Sequence, residues 1–197
     1  MCKQDNGETV NILLAGVGGQ GIILASTIIS MAVMESGYDV KNNEVHGMAQ
    51  RGGSVVCQIR FGKKVFSPLI KKGSADFLIA LEKLEALRYA DYLKKDGVVI
   101  VNNFKISPLT VLTGQSQYPA NIDEMMEETF SHLHIVDGVK LAQDLGDVRT
   151  SNVILIGLLS HYLPFKKEVW INVIKKSVKE KFRDINVKAF EIGREMK

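Results

Sequence analysis

The chain is short of the residues on which much protein chemistry is built. Of its 197 residues only two are cysteine, Cys2 and Cys57, too few to hold an iron–sulfur cluster or a four-cysteine zinc site and no sign of a secreted disulfide framework. No apolar run approaches the roughly eighteen residues that a membrane span needs. The opening Met-Cys-Lys-Gln-Asp-Asn-Gly-Glu is polar rather than signal-like, which makes the cytoplasm the expected compartment and a membrane an unexpected partner. A formal charge of +3 is too slight to argue for nucleic acid. Its lysine excess, in Lys166-Lys167, Lys175-Lys176 and Lys179-Glu180-Lys181, reads as the solvated face of helices. Motifs of serine hydrolases, zinc proteases, Walker-type nucleotide sites and dithiol redox sites are all missing. His132 and His134 have no carboxylate at ligand spacing and read as surface or satisfied histidines, and His161 reads as a helix-end residue. There is no internal repeat, low-complexity segment or linker, so the expectation is one domain over residues 1–197, with 46% hydrophobic residues to build a core.

What is present centres on Asn11 to Gly21. Ile12, Leu13, Leu14 and Ala15 form the unbroken apolar run of a strand buried on both faces, followed at once by Gly16-Val17-Gly18-Gly19-Gln20-Gly21. Glycines 16, 18 and 21 have the G-x-G-x-x-G spacing, in which one permits a tight turn, one a close approach and one helix–strand packing. Ile22 to about Ser36 continues as a mostly apolar helix stopped by Gly37. Free N–H groups at its start suit an anion, while the same glycines equally serve packing alone. A nicotinamide fold would further require an acid about twenty positions on, at the end of the second strand. Asp39 begins that strand and Glu44 falls late, which weakens this reading.

Further strands are expected at Tyr38–Val45, Ser54–Phe61, Ala75–Leu81, Gly97–Asn102 and His132–Val136, with helices at Glu82–Leu93 and Val139–Leu145. Between the second and third strands, Glu44, His46, Gly47, Gln50, Arg51, Gly52 and Gly53 give a loop with the polar variety and backbone freedom of a binding site, expected to lie against the glycine turn. His46 there suits a structural, binding or acid–base role. Gly62-Lys63-Lys64 reads as a tight turn into a strand at Val65-Phe66-Ser67, an antiparallel hairpin that Pro68 ends. Phe104 to Ala120, carrying Pro108, Gly114 and Pro119, reads as a long functional or partner-covering loop with room for a short strand at Thr110–Leu112. Ser151 or Asn152 can cap an almost wholly apolar helix, Val153–Leu163, buried in the fold or against another chain. Helices at Lys166–Phe182 and from Ile185 onward close the chain. The pattern is α/β, with a mostly parallel sheet, an antiparallel excursion and a helical C-terminal part.

Gly16-Val17-Gly18-Gly19-Gln20-Gly21 taken with Gln50-Arg51-Gly52-Gly53 resembles the gamma-type subunits and domains of the 2-oxoacid:ferredoxin oxidoreductases, most closely the indolepyruvate branch. The resemblance extends through Val45 to Val55, Tyr118-Pro119, Asn152 to Leu158 and Asn186 to Arg194, nearly the whole length. It implies a Rossmann-like three-layer domain without a bound dinucleotide, working in a heteromeric complex. A partner alpha subunit would carry thiamine diphosphate and the iron–sulfur clusters, and ferredoxin would collect the electrons. The complex would convert an arylpyruvate and coenzyme A to an aryl-acetyl-CoA and carbon dioxide. This chain would close the active site and receive coenzyme A, with Gly18, Gly19, Gln20 and Gly21 as backbone approach points and Arg51 as a pyrophosphate or subunit contact. Arg51 could equally pair with Glu44, and Gly52 and Gly53 could merely shape a turn. A free-standing nucleotide-binding module and a purely structural oligomerisation domain are the competing readings.

Overall fold

A computed structural model describes residues 9–46, 52–107, 111, 114 and 117–196. Six strands form one sheet: β1 Val10–Val17, β2 Asp39–His46, β3 Ser54–Gly62, β4 Ala75–Ala80, β5 Leu93–Asn102 and β6 Leu133–Val136. Their spatial order is β2-β3-β1-β4-β5-β6. β3 runs antiparallel to both β1 and β2, whereas β1, β4, β5 and β6 pair in parallel. β2 therefore points the same way as β1, and β3 is the single reversed strand of a mostly parallel sheet.

Among the described residues the helices are α1 Ile22–Glu35, α2 Lys83–Arg88, α3 Ile122–Thr129, α4 Gly138–Leu145, α5 Ser151–Leu159, α6 Lys167–Ser177 and α7 Arg183–Glu195, with short 3-10 turns before β5, α5 and α7. They lie in two layers. Ile12 and Leu14 of β1 face a core shared with α1, α5, α6 and α7. Leu13 and Ala15 face the other core, with Ala86 of α2 and Met126 of α3. All four of these β1 side chains are inaccessible to solvent, each burial contributing roughly 1.5–3 kcal/mol for the larger ones.

Three expectations are corrected. Residues 65–67 form no strand: Val65 donates its N–H to Asp39 Oδ2 at 2.8 Å, and the Ser67 carbonyl accepts from Arg60 at 2.9 Å, so side chains take the backbone groups a ladder would need. The antiparallel excursion is instead β3. Asn152 does not cap α5 but donates to the Gly21 carbonyl at 2.9 Å, and neither it nor Ser151 is the N-cap, a position held by Thr150 without a side-chain hydrogen bond. Helix α5 ends at Leu159, and the residues from Asn152 to Leu159 are all buried within this chain's own fold. The strand expected at Thr110–Leu112 falls largely outside the described residues. Among the described residues no helix is long and apolar enough to cross a membrane.

Candidate functional site

The glycine turn lies where β1 ends, at the carboxyl edge of the parallel strands, and its shape follows from where its hydrogen bonds go. Gln20 turns inward: its Oε1 accepts from the Val17 N–H at 2.7 Å and its Nε2 donates to the Leu81 carbonyl at 2.8 Å, tying the turn to the end of β4. Gly18 donates its N–H to the Gly53 carbonyl at 2.8 Å. Val17 pairs with Ser54, and Val55 with His46, so the second glycine-rich stretch meets the first. Gly16 is the packing glycine, because a Cβ there would come within 2.9 Å of Gln20 Oε1 and Ile22 Cδ1. Gly19, at φ +105°, faces open space. Gly21, at φ +77°, is the N-cap of α1, and no side chain caps it.

Two clefts flank this ridge. One, of about 380 Å³, runs from Gly19, Gln20 and Gly21 past Leu24, Leu81, Phe104, Val139 and Val148 to Arg149, Ser151 and Asn152. The other, of about 320 Å³, is walled by Val17, Gly18, Gly19, Gly21, Ile22, Ile23 and Val55. The larger brings together the starts of α1 and α5: α1 has no side-chain cap, so its first backbone N–H groups are offered to an acceptor, whereas the Ser151 N–H at the start of α5 donates to the Val148 carbonyl of the preceding 3-10 turn. Asn152 links the two helices through its bond to Gly21, while its own Oδ1 is buried without a partner. Arg149 lines the same cleft, yet its guanidinium is held by Asp147 through two bonds of 2.6 and 2.8 Å. That pairing keeps the Asp147 carboxyl below its ordinary range. The cleft is therefore apolar with a few oriented amide groups, rather than a basic socket.

Beside the turn, Glu82 is 1% exposed and holds three donors. Its carboxylate accepts from the Glu85 N–H at 3.0 Å, the Tyr118 hydroxyl at 2.6 Å and the Ile106 N–H at 3.3 Å. It thus fastens both ends of the segment between β5 and α3. Burial, and then this bond, raise the Tyr118 pKa. The Ser54 hydroxyl bonds Glu85 in turn, and Arg88 pairs with the same carboxylate at 2.9 Å.

Of the other expected site residues, Glu44 sits in β2 opposite Cys57, which in turn faces Leu14 of β1. Burial first, and Glu44 second, push the Cys57 thiol up to about 12. Gly52 adopts φ +76° beside Gly53. His46 ends β2, and Gly47, Gln50 and Arg51 lie outside the described residues, as does any pairing of Arg51 with Glu44. Asp39 is at the far end of the sheet, opposite Gly62. Because β3 intervenes, β2 stands two strand spacings, about 10 Å, from β1. Among the described residues, the neighbour of β1 on that side is the antiparallel β3, so no parallel strand there brings an acid to the ribose position of the standard dinucleotide fold. Sequence reasoning missed Arg149, Leu81, Phe104 and Glu82, and it assigned Asn152 to a cap. Only the Tyr118-Pro119 pair had been singled out near Glu82.

The model of the family "Pyruvate ferredoxin/flavodoxin oxidoreductase" matches residues 11–196. Indolepyruvate oxidoreductase subunit IorB of Thermococcus kodakarensis is 43% identical over 189 residues, covering 93% of each chain. The IorB subunit of Archaeoglobus fulgidus is 42% identical over the same length. Among solved structures, the gamma subunit of a keto/oxoacid ferredoxin oxidoreductase from Geobacter sulfurreducens superposes with a TM-score of 0.69 at 24% identity, covering 93% of this chain and 95% of that one.

Proposed function

We propose, since the chain belongs to the pyruvate ferredoxin/flavodoxin oxidoreductase family, that it is the subunit without clusters of a 2-oxoacid ferredoxin oxidoreductase acting on an arylpyruvate, with indolepyruvate the first choice. The observation that carries this reading is the glycine ridge between two clefts at the carboxyl end of the sheet, in a chain similar along nearly its whole length to IorB subunits. In the complex, coenzyme A and the 2-oxoacid would yield an aryl-acetyl-CoA, carbon dioxide and reduced ferredoxin. A thiamine diphosphate supplies the electron sink for decarboxylation. The iron–sulfur clusters are assigned to the alpha subunit, since two cysteines fall short of the four thiolates such a cluster takes, and the thiamine diphosphate would lie there with them.

The part left to this chain is to bind and to exclude water. Gly18, Gly19, Gln20 and Gly21 let another backbone or ligand approach closely, and the larger cleft, with apolar walls and helix-start N–H groups, suits the uncharged amide-bearing arm of coenzyme A. Arg51 and its glycine neighbours would meet the pyrophosphate or the alpha subunit. A free-standing dinucleotide sensor is disfavoured by β3 standing where the ribose-binding strand would be.

The test is reconstitution. The chain alone should be inactive, whereas the chain with its thiamine-loaded partner should reduce ferredoxin or a viologen dye in a manner dependent on arylpyruvate and coenzyme A. Arg51→Ala should raise the coenzyme A requirement or weaken assembly. Unchanged behaviour in both would remove Arg51 from the site, and an inactive, unassembled mixture would return the chain to the nucleotide-module reading.

A further inference from the structure

At the end of the sheet opposite the glycine turn, residues 63–74 connect β3 to β4, and their sequence is nearly mirror-symmetric: Lys63-Lys64, then Val65-Phe66-Ser67-Pro68-Leu69-Ile70, then Lys71-Lys72. Val65 and Ile70 are buried, at 4% and 5% exposure, whereas Phe66 and Leu69 project to 85% and 60%. Ordinary exposed loops are free to rearrange. This one is pinned by side chains of neighbouring strands. Ile70 donates its N–H to Gln58 Oε1 at 2.6 Å, and Val65 donates to Asp39 at 2.8 Å. Arg60 Nη1 donates to the carbonyls of Ser67 and Leu69 at 2.9 and 3.2 Å, while its Nε is held by Asn11 Oδ1 at 2.8 Å. The buried pair sets the depth of the loop and the polar pins set its shape, so Phe66 and Leu69 are presented in one conformation. A binding partner then bears little of the ordering entropy.

All four lysines are exposed. Lys64 Nζ lies 5.2 Å from the centre of the Phe66 ring, and Lys72 pairs with Asp91 at 3.2 Å across the surface. Two apolar tips with cations on both sides form the core and rim of a protein interface in miniature. We propose that this loop is a docking knob whose occupant is an apolar pocket rimmed by carboxylates on a partner subunit of the complex, which rests on the heteromeric reading given above. Phe66 and Leu69 fill the pocket, and the lysines steer the approach and fix its orientation. A lipid surface fits less well, because a pinned loop offers two side chains rather than the continuous apolar face of an interfacial helix. The knob leaves the glycine ridge free, so the chain can be held at one end while the other closes on a site.

The test uses the full chain and its thiamine-diphosphate subunit, with affinity and association rate measured at low and high salt. Phe66→Ser with Leu69→Ser should bind about 30-fold more weakly, as loss of a central anchor does, with an unchanged melting temperature because both side chains are exposed. Replacing Lys63, Lys64, Lys71 and Lys72 by serine should slow association about tenfold at low salt, with the difference fading at high salt. Wild-type affinity in the double variant would overturn the knob while leaving the subunit reading intact. Failure of the unaltered chain to bind would overturn both. Binding of the unaltered chain to phosphatidylserine vesicles, lost in the double variant while assembly is unaffected, would overturn the protein occupant in favour of a membrane.

Discussion

Gln20 uses both ends of its amide on backbone groups, the Val17 N–H and the Leu81 carbonyl, the second of which also accepts from Asn102 Nδ2 at a long 3.5 Å. Gln20→Ala therefore leaves the half-buried Val17 N–H without its partner and the Leu81 carbonyl with only the long bond from Asn102. At about 1–3 kcal/mol per orphaned group, the variant should lower the urea midpoint by the equivalent of about 1–3 kcal/mol. Gln20→Glu, which keeps the acceptor and loses the donor, should fall between the two. His134 gives a pH-dependent counterpart. Its Nε2 meets the Tyr162 hydroxyl at 2.6 Å, and burial, then the neighbouring His132, hold its pKa below the ordinary 6.5. With the folded value depressed, the unfolded chain binds the proton more readily. The stability conferred by neutral His134 is present above about pH 6.5 and is lost as the pH falls through the folded value. Melting temperature followed from pH 7.5 to 5 should decline less steeply in His134→Gln than in the parent, and equal slopes would exclude this histidine as a source of acid sensitivity.

Helices α5 and α7 cross at a pair of glycines. A Cβ on Gly157 would overlap the Phe190 carbonyl, and one on Gly193 would overlap the Ile154 carbonyl. The crossing is locked at one end by Arg194, which donates to Ser160 Oγ at 2.6 Å. Gly157→Ala or Gly193→Ala must push the helices apart, with an expected loss of about 1–3 kcal/mol or more in thermal or urea unfolding. The double variant should lose less than the sum of the singles, because one displacement makes room for both methyls.

At this scale the sequence was readable where periodicity speaks and silent where distance does. The unbroken run Ile12 to Ala15 identified a strand buried on both faces, and Gly146 at φ +101° stops α4 where the sequence placed the stop. Helix α3 was not anticipated, the stretch between the expected loop ending at Ala120 and the strand at His132 being left unassigned, although Ile122 and Met126 lie one helical turn apart with Asp123 and Glu124 in the first turn. The direction of β3 has no local signature, since its alternation is the same read either way. For the site, the glycine pattern located the ridge. The Asn152 to Gly21 bond spans 131 positions, and nothing in residues 148–153 announces its destination.

For the whole molecule, the order in which elements cover the sheet matters more than any single contact. The strand core bearing Ile12, Leu14, Phe77, Ile79 and Ile100 is closed by Trp170, Val173 and Ile174 of α6 and by Ala189 and Phe190 of α7 together with α5. A chain stopped after Phe182 keeps β1 to β6 and α1 to α6, yet exposes the face of α5 that meets Ala189, Phe190 and Gly193. It should lack cooperative unfolding and bind a hydrophobic dye in its resting state, as loosely packed states do. A sharp unfolding transition in that truncated chain would show that α7 is an accessory.

The same arrangement governs how the protein is made. Five strands are complete by Asn102, but the helices that close one of their faces come from the last third of the chain. At about 5–20 residues per second, a ribosome takes on the order of several to twenty seconds to deliver them, and during that interval α1 alone can shield an apolar surface destined for the deepest part of the core. Yield in a cell is thus set by translation speed and by the chaperones that hold the nascent chain, before native stability has any say.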